Sequence, residues 1–329
     1  MVAYPVHLDR GVHLPLCDLW LDPTRRRPRA VVSHGHADHV ARHDEVVCSE
    51  ATHRVMGLRR KAPVRVQLPT WGEEVRVGAA TVSLHPAGHV LGSSQVLVRH
   101  DGVRILYSGD IRCRPGLTAE PLEHVECDLL VMETTFGHPR YRFPPTESVI
   151  GSLVAYCVAT LAAGATPVLL AYSVGKAQEL LAQLAGRGLR LVVHPAVAAV
   201  VELYSELGVD LPAVETLRDV SAARGAVVVV PPHLRGLRAL AELGDRRTVM
   251  LSGWAVEGAP VPLRAHCNAA FPLSDHCDYD ELLEYVERSG ARRVLTLHGF
   301  AADFAQQLRR RGYDAAPLRD SEQLRLALA

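Results

Sequence analysis

Residues 31 to 40 read VVSHGHADHV, which places His34, His36, Asp38 and His39 within six positions of one another, directly after a short apolar run. Imidazole nitrogen and carboxylate oxygen suit zinc or manganese, and a hydrolytic centre wants two such ions sharing a carboxylate and a bridging hydroxide. Two ions need more ligands than this cluster supplies. The remaining candidates each sit just after another apolar run: His89 after TVSLHPAG, Asp110 after RILYSG and His298 after RVLTL. Residues at strand ends can converge on one sheet edge even when far apart in the chain, so convergence of these side chains is the expectation. Alone, His89 or Asp110 would be an ordinary turn residue, and only the shared context raises them. His7, His13, His43, His53 and His194 read as structural or exposed.

The elements needed to hold such a site change character along the chain. The first 135 residues read as short strands with turns, as in VRVGAATVSLH and GSSQVLVRHDGVRILYSGD, which alternate β-branched residues with Gly and Asp. From about Pro145 the rhythm becomes helix then strand: TESVIGSLVAYCVATLAAG, TPVLLAY, GKAQELLAQLAGRG, LRLVVH, PAVAAVVELYSELG, GAVVVVPPHL and RTVMLSGW alternate as a parallel α/β unit would. After Trp254 the short-strand mixture resumes, with DYDELLEYVERSG a helix, ARRVLTLHG a strand and loop, and SEQLRLALA a last helix or strand. The expected organisation is a discontinuous β-rich domain, residues 1–145 and 255–329, carrying an inserted α/β lobe at 146–254. The fold class is α/β.

Composition narrows the classes. Lys+Arg and Asp+Glu both total 36, so no global positive excess marks a passive nucleic-acid coat, although a local basic groove remains open. Seven scattered cysteines without a C-x-x-C pair argue against a disulfide framework and a zinc knuckle, and predict buried thiols in a reducing cytoplasm. The opening MVAYPVHLDR carries no recognisable signal peptide. No Asp, Glu, Lys or Arg occurs between Glu147 and Lys176, long enough for a membrane span, but Gly164 and Pro167 interrupt the stretch, and no membrane association is expected.

The pattern His34-x-His36-x-Asp38-His39, followed by His89 and Asp110, resembles the signature of the metallo-β-lactamase superfamily, whose members share an αββα sandwich. VMETTFG around Glu133, LSDHCDYDEL around His276 and TLHG around His298, with the α/β insert between, resemble the β-CASP branch of nucleases along essentially the whole chain. Within that branch, PAGHVLGS and FGHPRYRFP are most similar to the bacterial ligase-associated DNA exonuclease group.

The resemblance implies two divalent ions, Zn2+ or Mn2+, with His34, His36 and His89 on one, Asp38, His39 and His298 on the other, and Asp110 bridging. Asp22 in LWLDP matches the family's first motif, where its carboxylate would orient ligand histidines; beside Pro23 it reads equally as a turn or cap residue. His276 is the expected general acid, with Glu133 accepting its other ring proton, and Asp38 and Asp110 complete the expected catalytic set. The competing reading has Ser274 or Asp275 capping the next helix and His276 filling its first turn. The insert is expected to wall a cleft for a polynucleotide. Ser173, Gly175 and Lys176 stand where a strand meets a helix start, suited to a phosphate or to routine capping. Arg140, Tyr141 and Arg142 would supply charge and stacking, or form a solvated loop.

The expected function is metal-dependent phosphodiester hydrolysis of DNA from an end, in repair, with nucleic acid as partner (DNA before RNA) and a DNA ligase or helicase implied by the likeness. An RNA-processing β-CASP ribonuclease is the alternative, because His298 at the last motif resembles RNA-acting members. A lactamase or thioesterase would explain the metal cluster but leave the insert and the His276 segment without a role. A silent scaffold would be expected to have lost ligands.

Overall fold

The computed structural model describes residues 4–58, 65–236, 240, 242–256 and 267–318. SEQLRLALA, read as a last helix or strand, lies outside the described residues. The chain divides into two compact units: Met1–Pro115 with Ala119–Pro139 and His276–Ala329, and Gly116–Thr118 with Arg140–Asp275.

The first unit contains two sheets. One runs β1 (His7–Leu8), β2 (Val12–Leu14), β3 (Leu19–Leu21), β4 (Arg29–Val31), β5 (Glu45–Val47) and β6 (Arg65–Gln67) in chain order, antiparallel through β3 and parallel thereafter. The other contains β7 (Val75–Val77), β8 (Ala80–Pro86), β9 (Ser94–His100), β10 (Val103–Tyr107), β11 (Leu129–Glu133), β18 (Arg293–Leu297) and β19 (Asp314–Pro317), in the spatial order β19-β18-β11-β10-β9-β8-β7. Every residue of LLVME in β11 is buried, because alternate side chains enter different cores. Leu129 and Val131 join Leu14, Leu21, Val31 and Val47 of the other sheet. Leu130 and Met132 instead meet Leu282 and Val286 of α5 (Tyr279–Ser289) and Phe304 and Leu308 of α6 (Ala301–Arg310). On the far side of the first sheet, Val46 packs with Met56 of α1 (Glu50–Leu58).

The second unit is built on six parallel strands: β12 (Thr166–Leu170), β13 (Leu191–Val193), β14 (Glu215–Thr216), β15 (Val227–Val230), β16 (Arg246–Leu251) and β17 (Ala269–Phe271), ordered β14-β13-β15-β12-β16-β17. Helices α2 (Thr146–Ala162), α3 (Lys176–Leu184) and α4 (Pro195–Glu206) pack on one face through Leu153, Leu180 and Val197, against Leu169 and Val229. The unit runs to Asp275 rather than to 254, because β17 pairs with β16 and draws the segment after Trp254 into this sheet. The chain is thus a mixed α/β protein. Among the described residues no helix is long and apolar enough to cross a membrane; α2 stops short of Gly164, whose φ is +77°.

Candidate metal centre

Strands β8, β10, β11 and β18 run in one direction within their sheet, so the residues that follow them emerge at one edge. His89 follows β8, Asp110 follows β10, Glu133 ends β11 and His298 follows β18. The loop after β4 supplies His34, His36, Asp38 and His39. Gly35 separates the first two histidines because a Cβ there would stand 2.4 Å from Cγ1 of Val55 on α1, so that helix presses directly on the ligand loop.

Asp110 Oδ2 is the meeting point. It lies 3.5 Å from His34 Nε2, 3.6 Å from His39 Nε2 and 3.8 Å from His89 Nε2. His36 Nδ1 is 3.1 Å from His34 Nε2 and 3.2 Å from His89 Nε2. Nitrogens bound about 2.0–2.1 Å from one tetrahedral ion stand about 3.3–3.4 Å apart, so this spacing fits a shared cation. The other candidates sit further out: Asp38 is exposed, with Oδ2 3.9 Å from His39 Nε2, and the ring of His298 is 6.2 Å from that of His39.

Electrostatics polarise the cluster. Burial would lower the pKa of His39, but the carboxylates of Asp110, Asp22 and Asp38 outweigh it and push it up to about 10. Burial and the neighbouring His39 hold His34 well below the ordinary imidazole range. Burial works against the Asp110 carboxylate, yet His39, His34, His276 and His89 keep its pKa well below the usual value.

Asp22, in the left-handed region at φ +45°, is hydrogen-bonded to this cluster. Its Oδ2 is 2.9 Å from His39 Nδ1 and accepts a hydrogen bond from the Tyr107 hydroxyl at 2.9 Å. Its Oδ1 accepts from the Ser33 backbone N–H at 2.6 Å, while the Ser33 hydroxyl donates to Oδ2 and lies 2.9 Å from His34 Nδ1. Ser33 and Tyr107 carry no motif in the sequence beyond their places, before His34 and shortly before Asp110.

His276 Nδ1 lies 2.8 Å from Glu133 Oε1. Glu133 is fully buried and held at both oxygens, by the backbone N–H of Ile111 at 3.1 Å and of Thr135 at 3.0 Å. Burial would raise its pKa, but the imidazole of His276 lowers it on balance. The His276 ring is 4.6 Å from that of His89. The cap of α5 is Asp278, whose side chain accepts from the N–H groups of Asp280 and Glu281, so neither Ser274 nor Asp275 caps it and His276 lies before the helix. Arg114 reaches from the loop after Asp110 to Asp278 at 2.6 Å and to Glu281 at 2.5 Å, and the Cys277 N–H donates to Ile111 O at 2.8 Å. These bonds tie the His276 segment to the Asp110 loop.

No family model matches the chain. It is 41% identical over 329 residues, 99% of its length, to a protein of Opitutus terrae named probable DNA ligase, of which it spans 32%. It is 26% identical over 287 residues to ribonuclease TTHA0252 of Thermus thermophilus, covering 70% of this chain and 65% of that one. A third relative, human DNA cross-link repair 1A protein, is 27% identical over 293 residues, 80% of this chain and 27% of the relative. The chain belongs to the β-CASP metallo-β-lactamase family.

In this β-CASP chain the remaining expected contacts lie in the second unit. Lys176 is buried, with Nζ 2.8 Å from Asp275 Oδ1, so its charge is neutralised inside the fold rather than offered to a phosphate. The Gly175 N–H donates to Gln178 Oε1 at 2.8 Å, and Gln178 donates to Ser173 O, so the start of α3 is capped by its own residues. Tyr141 is buried with its ring 5.3 Å from Trp254, which removes it as an open stacking face; Arg140 and Arg142 are exposed.

Proposed function

We propose that this chain is a two-metal phosphodiesterase degrading DNA from an end in a repair setting. The observation that carries the reading is the His276–Glu133 pair, 2.8 Å apart, beside the ligands gathered on Asp110. Small-substrate metallohydrolase chemistry leaves that pair without a task; phosphodiester cleavage needs an acid, because an alkoxide is a poor leaving group.

His34, His36 and His89 would hold one divalent ion, Zn2+ or Mn2+, and Asp38, His39 and His298 the other, with Asp110 shared. When bound, two such ions supply a nucleophile at neutral pH and neutralise charge on the phosphate. Asp22 holds His39 directly and His34 through Ser33, fixing which ring nitrogen faces the site. Glu133 takes the Nδ1 proton of His276 as a hydrogen bond and favours the imidazolium, leaving Nε2 to protonate the departing oxygen.

The proposed architecture is the αββα sandwich with an inserted β-CASP lobe, supported by the layering of α1, two sheets and α5 with α6. The near full-length match to part of a ligase-named protein supports a DNA ligase as partner, with a helicase the further candidate. Seven free thiols accord with a cytoplasmic setting. RNA cleavage is the second reading, supported by His298 beside His39 and by the ribonuclease name of one relative.

End-labelled DNA and RNA of matched sequence, digested with zinc or manganese, decide between them. Stepwise loss from DNA alone is the expected result, and RNA cleavage alone would transfer the assignment. In the same assay His276→Ala should retain its metals and lose roughly 10²–10⁴-fold in turnover. Undiminished turnover would remove the acid role.

A further inference from the structure

The second unit contains a crevice that the metal chemistry does not use. From β12 the chain crosses to β13 through α3, whose Ala177, Leu180 and Leu184 pack on the face bearing Leu169. From the neighbouring β15 it returns to β16 over the opposite face, where Leu240 packs with Val168, Leu170 and Val230. Adjacent parallel strands whose connections leave on opposite faces open a crevice at their carboxyl ends, the usual ligand position in such sheets.

A cavity of about 320 Å³ opens there, lined by Leu170, Tyr172, His233, Arg235, Met250 and Ser252 among others. That volume suits one small ligand. Among the described residues that line it there is no carboxylate, and these present the Arg235 guanidinium, the His233 imidazole and the Ser252 hydroxyl over an apolar floor. Ser252 Oγ accepts from the Trp254 N–H, which leaves the hydroxyl proton to donate. Tyr172 is 57% exposed although it stands against apolar neighbours, an arrangement suited to a planar aromatic guest.

We infer that this crevice binds a single nucleoside monophosphate unit, its base against Tyr172 and the apolar floor and its phosphate on Arg235, with His233 and Ser252 as further donors. A guanidinium suits phosphate because it offers paired donors in one plane. The inference rests on the proposed nucleic-acid substrate, since a released nucleotide or a strand end would be the guest.

The test is equilibrium dialysis of radiolabelled dAMP against the full chain carrying Asp110→Ala, which disables the metal centre. The expected result is one saturable site, weakened about tenfold or more by Tyr172→Ala and by Arg235→Ala, with deoxyadenosine binding more weakly than dAMP. Absence of binding at millimolar dAMP, or binding that neither variant alters, would overturn it. Digestion by the unaltered protein without dAMP binding sinks this inference alone; dAMP binding without digestion of DNA or RNA sinks only the nuclease reading.

Discussion

Asp22 carries no expected catalytic duty, yet its carboxylate is bonded to His39, Ser33 and Tyr107. Asp22→Asn should therefore lower metal affinity roughly 10–100-fold, the usual effect of losing a ligand's orienting partner, measured by competition with a chromophoric chelator. The raised pKa of His39, about 10, sets the sign of a pH effect. In metal-free protein the protonated imidazole stabilises the fold fully below the ordinary value of 6.5, and this contribution is lost as pH rises through about 10. A cation must displace that proton, so apparent metal affinity should climb across the same window, with proton release measurable by calorimetry in buffers of different ionisation enthalpy. Metal binding without proton release would discount His39. The candidate ligands of the 34–39 cluster stand out in the sequence because three histidines and an aspartate crowd six positions, whereas a single serine or tyrosine has no such pattern. The ion pair of Lys176 has no sequence signal for a related reason: a helix-start motif says nothing of Asp275, which arrives much later in the chain.

Short connections between elements convert this chemistry into geometry. Gly109 joins β10 to Asp110 at φ +56°, and a Cβ there would stand 2.9 Å from Ser33 Cβ and Oγ. Gly109→Ala should cost about 1–3 kcal/mol, from the left-handed backbone and the displaced Ser33, and should weaken metal binding as well. Urea unfolding and the chelator competition would read both; unchanged metal affinity would show that the turn does not set Asp110. Asp278 caps α5 and pairs with Arg114, so Asp278→Ala should lose about 1–2 kcal/mol and reduce turnover by loosening His276. The helix period was readable because buried residues recur along α5 at Tyr279, Leu282 and Val286, whereas β11, buried on both faces, reads as a short apolar run with no alternation. The end of the insert was not readable, because the three residues of β17 carry no periodicity that assigns them to a sheet.

At the scale of the whole chain, the candidate ligands come from both sheets of the first unit, so a cation held by them would also hold those sheets together. Metal at about a hundred times its dissociation constant should stabilise the fold by about 2.7 kcal/mol, seen as a rise in melting temperature that Asp110→Ala abolishes. An equal rise in that variant would place the stabilising ion elsewhere. The sheet order carries one more consequence. Glu133 pairs with Leu297 across β11 and β18, so a central strand waits for a neighbour that the ribosome has yet to make. At about 5–20 residues per second the wait is on the order of 10–30 s. Throughout that interval an apolar edge stands open to other nascent chains, and slower translation of the insert should raise the fraction lost to aggregation.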